Sequence, residues 1–303
     1  MKKHRLLGIM IGMLFLVLIT PLGHTRDFSK VQIKVVKVKP GIHMLMGEGG
    51  NICVSSGVDG VFMIDDQFAP LTEKIKTAIA SFTSGPIRFV INTHWHSDHT
   101  GGNENMGDAG ALIIAHENVR KRLSTDQVLT AFNRTIPALS KEGLPVITFT
   151  RDVAFHLNGQ RIDVFHIKRA HTDGDAAVYF TDANVIHTGD ILFAGMYPFI
   201  DIEHGGTISG TIDATNRILG MIDDNTRIIP GHGMLTDKNG LIAYRDMLSK
   251  IRDRIQSQMN AGKTLEEIKL SKPTQDFDSE WGGGFIKPDV FVGIVYQNLI
   301  QEK

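Results

Sequence analysis

Cysteine is almost absent. Cys53 is the only one in 303 residues, so no intrachain disulfide can form, and the core must hold without covalent staples, as a chain of this length can. Residues 51–55 alternate around Cys53 with no histidine beside it, which reads as a small buried hydrophobe rather than a nucleophile. An excess of one charge is missing too. Lys and Arg total 32 against 33 Asp and Glu, a formal net charge of -1. Without a basic stripe, nucleic acid is not expected as substrate or partner. No low-complexity segment, tandem repeat or interdomain linker interrupts a chain that is 42% hydrophobic and 21% charged, proportions of a folded globular protein. Long apolar runs are also lacking. Leu6 to Ile19, preceded by Lys2, Lys3 and Arg5 and stopped by Thr20-Pro21, falls short of the roughly 20 residues a spanning helix needs. Residues 1–25 therefore read as a signal peptide or, because no Ala-x-Ala cleavage site follows, an N-terminal membrane anchor. Export to the periplasm or cell envelope is expected, with residues 26–303 forming one domain that ends in a helical C-terminal extension.

The remaining pattern mixes strands and helices. Short strands are expected over residues 31–39, 42–46, 52–55 and 61–64, separated by glycine turns. Leu71, Ile75, Ala78, Ile79 and Phe82 mark one face of a helix, and a strand over 86–92 delivers the chain to His94. Residues 117–145 read as a partly helical excursion with Val128, Leu129, Phe132 and Ile136 on one face, serving as connector or pocket wall. Asn158-Gly159 between two alternating stretches signals a hairpin. Further strands are expected at 176–180, 185–187 and 226–229, and helices at 208–222 and near 241–259. Thr264 and Glu267 form a capping box, and Pro288 opens a last helix with Phe291, Ile294, Val295 and Leu299 inward. The stretch from Asp276 to Gly284 reads as a surface loop. Strands in both halves with helices between them suit two packed sheets covered by helices.

The chemistry concentrates in residues 93–102, Thr-His-Trp-His-Ser-Asp-His-Thr-Gly-Gly. His94 and His96 share one side of an extended segment. Asp98 and His99, being adjacent, need a turn to reach one place, which suits two neighbouring ions. Four such side chains are costly to bury unpaired, and coordination satisfies them. His171, Asp190 and His232 follow at later strand ends, each with a glycine adjacent or within three residues that permits a tight turn. His166, His187, Asp173 and Asp175 read as packing or loop-supporting residues.

His94-x-His96-x-Asp98-His99, followed in order by His171, Asp190 and His232, resembles the signature of the metallo-β-lactamase superfamily over roughly residues 35–245. The resemblance implies an αββα sandwich of two mixed β-sheets, a single metallo-hydrolase domain with a dinuclear site at one sheet edge. It further implies one zinc on His94, His96 and His171, a second on Asp98, His99 and His232, and Asp190 between them. Iron or manganese would suit the same donors. Asp65 resembles the family's aspartate behind the metal loop, which would orient an imidazole.

A water acidified by the ions would then attack a carbonyl carbon of a small-molecule substrate. Asp98 would orient it, and Tyr197 is the candidate for steadying the oxyanion. In the family an aspartate at position 190 goes with hydroxyacylglutathione hydrolases and lactonases, whereas zinc β-lactamases mostly carry cysteine or serine there. A carboxylic ester, lactone or thioester is therefore the expected substrate class. Glutathione thioesters fit less well, since Lys287 and Lys303 flank the last helix with no basic cluster between. Hydrolysis of a β-lactam amide is one alternative, and an iron-dependent oxidoreductase of the same fold is another.

Overall fold

The computed structural model describes residues 27–302; the expected signal peptide or anchor at 1–25 lies outside them. Four antiparallel strands come first: β1 (Lys34–Lys39), β2 (Ile42–Met46), β3 (Ile52–Gly57) and β4 (Gly60–Ile64). Helix α1 (Thr72–Ala80) then crosses over to β5 (Ile87–Asn92), which lies parallel to β4. Two short helices follow, α2 (Ser97–Thr100) and α3 (Asn103–Asp108), before β6 (Leu112–His116) and α4 (Glu117–Leu123). A two-stranded hairpin, β7 (Gln127–Leu129) and β8 (Arg134–Ile136), stands apart before β9 (Ile147–Phe149) closes the first sheet.

The second sheet runs β10 (Asp152–Leu157), β11 (Gln160–His166), β12 (Ala176–Phe180), β13 (Val185–His187) and β14 (Arg227–Ile229), its last pair parallel. Asn158 and Gly159 turn β10 into β11 with φ of 54° and 69°, the left-handed pair that a two-residue hairpin requires. Helix α5 (Ile208–Leu219) bridges β13 to β14. The chain then ends in α6 (Lys238–Asn260), α7 (Leu265–Leu270), α8 (Asp278–Trp281) and α9 (Pro288–Gln301). Thr264 and Glu267 form the capping box of α7, and Pro288 stands in the first turn of α9.

Strand alternation explains the layering. Phe62, Ile64, Ile91 and Ile114 face Val164, Val178, Phe180 and Ile229 across the space between the sheets. Their sequence neighbours Val61, Met63, Val90 and Ile113 point outward onto Leu71, Ile75, Ile79 and Met106. On the far side Phe165, Ala177, Ile186 and Ile228 meet Ile208, Ile212, Leu248, Phe291 and Val295. A strand buried on both faces must be apolar at consecutive positions, and these are. The result is two mixed sheets with a helix layer outside each. Cys53 lies buried between the sheets, where desolvation pushes its thiol up.

Two expectations need correcting. The 117–145 excursion is partly helical, over α4 and single 3-10 turns at Thr130–Phe132 and Lys141–Gly143, but its apolar residues share no helical face: Val128, Leu129 and Ile136 belong to the β7–β8 hairpin, whose tip turns at Asn133 with φ 47°. Val128, Thr135 and Ile136 are β-branched and favour extended backbone over the helical face. Residues 276–284 are not simply a surface loop. They contain α8, whose Trp281 is buried against Tyr244. Among the described residues no helix is long and apolar enough to cross a membrane.

Candidate metal centre

The chemistry-bearing side chains meet where strands end. Asp65 follows β4, Thr93 and His94 follow β5, Asp190 lies shortly past the end of β13, and His232 lies just beyond β14. These are carboxyl ends of parallel pairs, the edge at which α/β sheets bind ligands. His171 comes from the loop between β11 and β12. One turn of helix, α2, brings Asp98 and His99 to the place His96 already occupies. Close approach demands glycine at two points. A Cβ on Gly231 would stand 2.0 Å from Asp190 Oδ1, and one on Gly50 would stand 2.1 Å from His99 Cε1.

Donor atoms of His94, His96, His171 and Asp190 all lie within 4.8 Å of one another, as do those of Asp98, His99 and His232. Asp190 touches both groups. Its Oδ2 is 3.7 Å from His94 Nε2 and 3.4 Å from both His171 Nε2 and His232 Nε2, while Oδ1 is 3.0 Å from His99 Nε2. Asp98 Oδ2 lies 3.3 Å from His232 Nε2 and 3.8 Å from His99 Nε2.

Hydrogen bonds on the far side of His94, His96, His99 and His171 decide where each ring carries its proton. His96 Nε2 donates to Asp201 Oδ2 at 2.9 Å, and His171 Nδ1 donates to the Phe199 carbonyl at 2.8 Å. His99 Nδ1 donates to Asp65 Oδ2 at 2.8 Å. Thr93 Oγ1 gives its own proton to Asp65 Oδ2 at 2.8 Å and so accepts from His94 Nδ1 at 3.1 Å. Every outer partner is an acceptor, so the inward nitrogens of the neutral rings are bare. Yet His96 Nδ1 and His171 Nε2 face each other at 2.9 Å, and His99 Nε2 and His232 Nε2 stand 3.4 Å apart. His94 Nε2 and Asp190 Oδ1 are buried with no hydrogen-bond partner. At His96 and His171, beside the unpartnered His94 nitrogen, lone pairs aimed at one another in a buried site call for a cation between them. Five imidazoles with two carboxylates suit zinc, with iron or manganese compatible.

Electrostatics divide the cluster. Burial holds His94 well below the usual histidine range, with His99 adding to the effect. Burial also lowers His171, to about 4, against the pull of Asp190. At His99 burial opposes protonation, but Asp190, Asp65 and Asp98 outweigh it and raise the ring well above normal. His232 is raised to about 9 by Asp190 and Asp98 against its own desolvation. Burial likewise opposes ionisation of Asp98, and His99 and His232 overcome it to hold the carboxyl below its ordinary value. Without metal, His94 and His171 are bare, whereas His99 and His232 collect protons.

Asp65 is buried behind the loop with φ 61°, accepting from Thr93 N at 2.7 Å as well as from Thr93 Oγ1 and His99. Asp175 ties the His171 turn by accepting from His171 N and Thr172 N, and Asp173 pairs with Arg122. His187 is buried and bonds the Asn51 carbonyl at 3.0 Å. Tyr197 requires correction. Its ring is fully buried, stacks on Phe291, and its hydroxyl donates to Asp278 Oδ1 at 2.8 Å. It lines the core under α9 and not the metal cavity, because the chain turns back into the helical layer after Ala194. Asp201 has no counterpart among the sequence expectations. It holds His96 and also accepts from His204 Nδ1 at 2.8 Å, and the His204 ring lies against Trp95. The spacing Asp201-x-x-His204 is its only local trace.

Above the ligands lies a cavity of about 440 Å³, floored by His96, Asp98, Asp190 and His232. Phe68, Leu129, Phe132, Phe199 and Phe285 form its walls, with Glu48 and Arg134 also lining it. The β7–β8 hairpin is thus a pocket wall.

The profile of the family described as "Metallo-beta-lactamase superfamily" matches residues 57–235. The chain is 29% identical over 181 residues to the 2,4-dinitroanisole O-demethylase subunit alpha of Nocardioides sp. (strain JS1661), covering 58% of this chain and 50% of that protein. It is 33% identical over 109 residues to the hydroxyacylglutathione hydrolase of Erythrobacter litoralis, covering 36% and 35% respectively. The match therefore spans half or less of the length of these two relatives. A solved metallo-beta-lactamase from Pontibacter korlensis superposes with a TM-score of 0.58 at 22% identity, over 72% of this chain and 99% of that one, a likeness of fold.

Proposed function

The chain belongs to the metallo-beta-lactamase superfamily, and from that membership and the cluster's geometry we propose that it is a zinc-dependent hydrolase of a carboxylic ester, lactone or thioester. The observation that carries the proposal is the set of bare inward nitrogens, His96 Nδ1 facing His171 Nε2 at 2.9 Å beside the unpartnered His94 Nε2. His94, His96 and His171 would hold one ion and Asp98, His99 and His232 the other, with Asp190 shared. A bound metal pair supplies acidification of a water and polarisation of a carbonyl oxygen. Asp98 reaches the cavity floor as an ionised acceptor, and it orients the attacking water toward the carbonyl carbon. Asp65 and Asp201 fix the tautomers of His99 and His96, so that neither ring turns its N–H inward. The phenylalanine walls keep bulk water from the reacting bond. Similarity to a hydroxyacylglutathione hydrolase supports thioester and ester cleavage as the reaction class. The aspartate at position 190 supports the same class over β-lactam cleavage.

We also propose that the protein works in the cell envelope, on the strength of the basic residues before Leu6 to Ile19. Cell fractionation with intact-mass measurement of the mature N-terminus tests this; cytoplasmic recovery of the full chain would refute it. For the reaction, metal content is measured together with turnover of lactone, aryl ester, thioester and β-lactam substrates. Zinc with ester, lactone or thioester turnover is expected. Turnover of β-lactams alone, or iron with oxygen-dependent turnover, would overturn the proposal.

A further inference from the structure

We infer that the cavity is shaped for a carbonyl compound bearing an aromatic ring and a carboxylate, with Arg134 receiving the carboxylate. The inference rests on the hydrolytic reading of the floor and adds what the walls select. On the His96 side, the Phe199 ring lies 5.8 Å from the imidazole, and Phe132 meets Phe199 edge-on at 4.8 Å. On the His232 side, Phe285 lies 6.1 Å from the imidazole. Phe132 is 42% exposed and Phe285 53%, so two large apolar rings at the mouth stand in water. Exposed apolar surface gathered around a cavity marks where a ligand covers it. A space of about 440 Å³ between such rings takes one aromatic ring with its substituents.

Arg134 gives the cavity its polarity. It is the one Lys or Arg among the lining residues, which also include the carboxylates Glu48, Asp98 and Asp190 and the ligand-type histidines His96 and His232. Among the described residues no carboxylate or carbonyl is within bonding reach of its guanidinium. Asn133, left-handed at φ 47°, turns the hairpin between Phe132 and Arg134 and keeps ring and guanidinium at one rim. A planar guanidinium matches a carboxylate through two parallel N–H donors. The ring wall beside it requires that this carboxylate sit on or next to an aromatic group.

The test uses the zinc-loaded chain and two esters of equal size, 4-acetoxybenzoate and 4-acetoxybenzamide, with ethyl acetate as the small reference. The acidic ester should have the higher kcat/KM of the pair. In R134A the ratio of the two should fall roughly tenfold, between the few-fold of an exposed ion pair and the larger loss of a buried one, and mainly through KM. R134K should recover part of it. F132A should lower both aromatic esters relative to ethyl acetate. Calorimetric binding of 4-hydroxybenzoate, weaker in R134A than in the parent, gives a readout free of turnover. A ratio and a 4-hydroxybenzoate affinity both unchanged in a folded R134A would overturn the inference. Failure to cleave any of the three esters would instead sink the hydrolytic reading, while Arg134-dependent binding of 4-hydroxybenzoate would still support the shape assigned to the cavity.

Discussion

His94, His96 and His171 form the buried half of the metal cluster, and Asp98, His99 and His232 the half that opens to the cavity. The first three side chains are at most 7% exposed, whereas Asp98 is 27% and His232 15% exposed. Each buried histidine leans on an acceptor behind it: Thr93, Asp201 or the Phe199 carbonyl. In the open half only His99 has such a backing, from Asp65. The consequence is chemical. Burial keeps His94 and His171 deprotonated and ready to bind a cation at neutral pH. Carboxylates make His99 and His232 hold protons that a cation must displace. One half is preorganised to bind and the other to exchange, while Asp190 couples them.

The largest effect should come from cutting that coupling. Asp190→Ala should lower kcat/KM by more than about 100-fold, since even changes behind the ligands cost 10–100-fold, and bring zinc content to one ion or fewer. Retention of two ions by mass spectrometry would break the idea of a shared carboxylate. Next, Asp201→Ala and Asp65→Ala should each weaken zinc binding about 10–100-fold, the first in the buried half and the second in the open half. Asp65→Ala should also lower stability by about 1–3 kcal/mol, because Thr93 N–H is left buried without an acceptor. Identical zinc titrations for the two variants would remove the distinction between the halves.

Acid should separate the halves more gently. His232 without metal titrates near 9, so below that pH a proton competes with the ion and affinity falls as pH falls. His171 takes a proton only below about 4 and burial holds His94 low as well, so these two ligands feel no such competition at pH 6. Dialysis at pH 6 should therefore remove one zinc equivalent and leave the other, and loss of both together would contradict the electrostatic division. The smallest effect is expected at Tyr197. Tyr197→Phe removes the hydroxyl bond to Asp278, lowers stability by about 1 kcal/mol in a urea melt, and leaves kcat within about twofold. A large loss of kcat would return the hydroxyl to the reaction.

The candidate metal donors that gather in the structure were legible because their constraints are local. His94 to His99 must be placed by one strand end and one turn, and a buried donor cluster of that density is tolerable only around a cation. The strands were legible where both faces are buried, since Val61 to Ile64 and Val90 to Ile91 are apolar without interruption. What supports the ligands was harder to read. Asp201 stands 105 positions from His96, and nothing near either residue announces the bond. Tyr197 failed for the reverse reason, in that nearness in sequence to Asp190 carried no information about direction. The 128–136 stretch shows apolar residues whose spacing admits helix or hairpin, and only the turn at Asn133 resolves it.

The layered fold is written in the apolar strands and the helices between them, and the candidate metal donors in their density at strand ends. Packing of the two sheets sets which nitrogen of His94, His96, His99 and His171 carries the proton, puts Asp201 behind His96, and lines the cavity with Arg134 and the phenylalanines. The physical reason is the range of the interactions. Periodicity and turns act between neighbours along the chain, whereas tautomers, buried ion pairs and cavity walls depend on groups that meet only after the two sheets have packed.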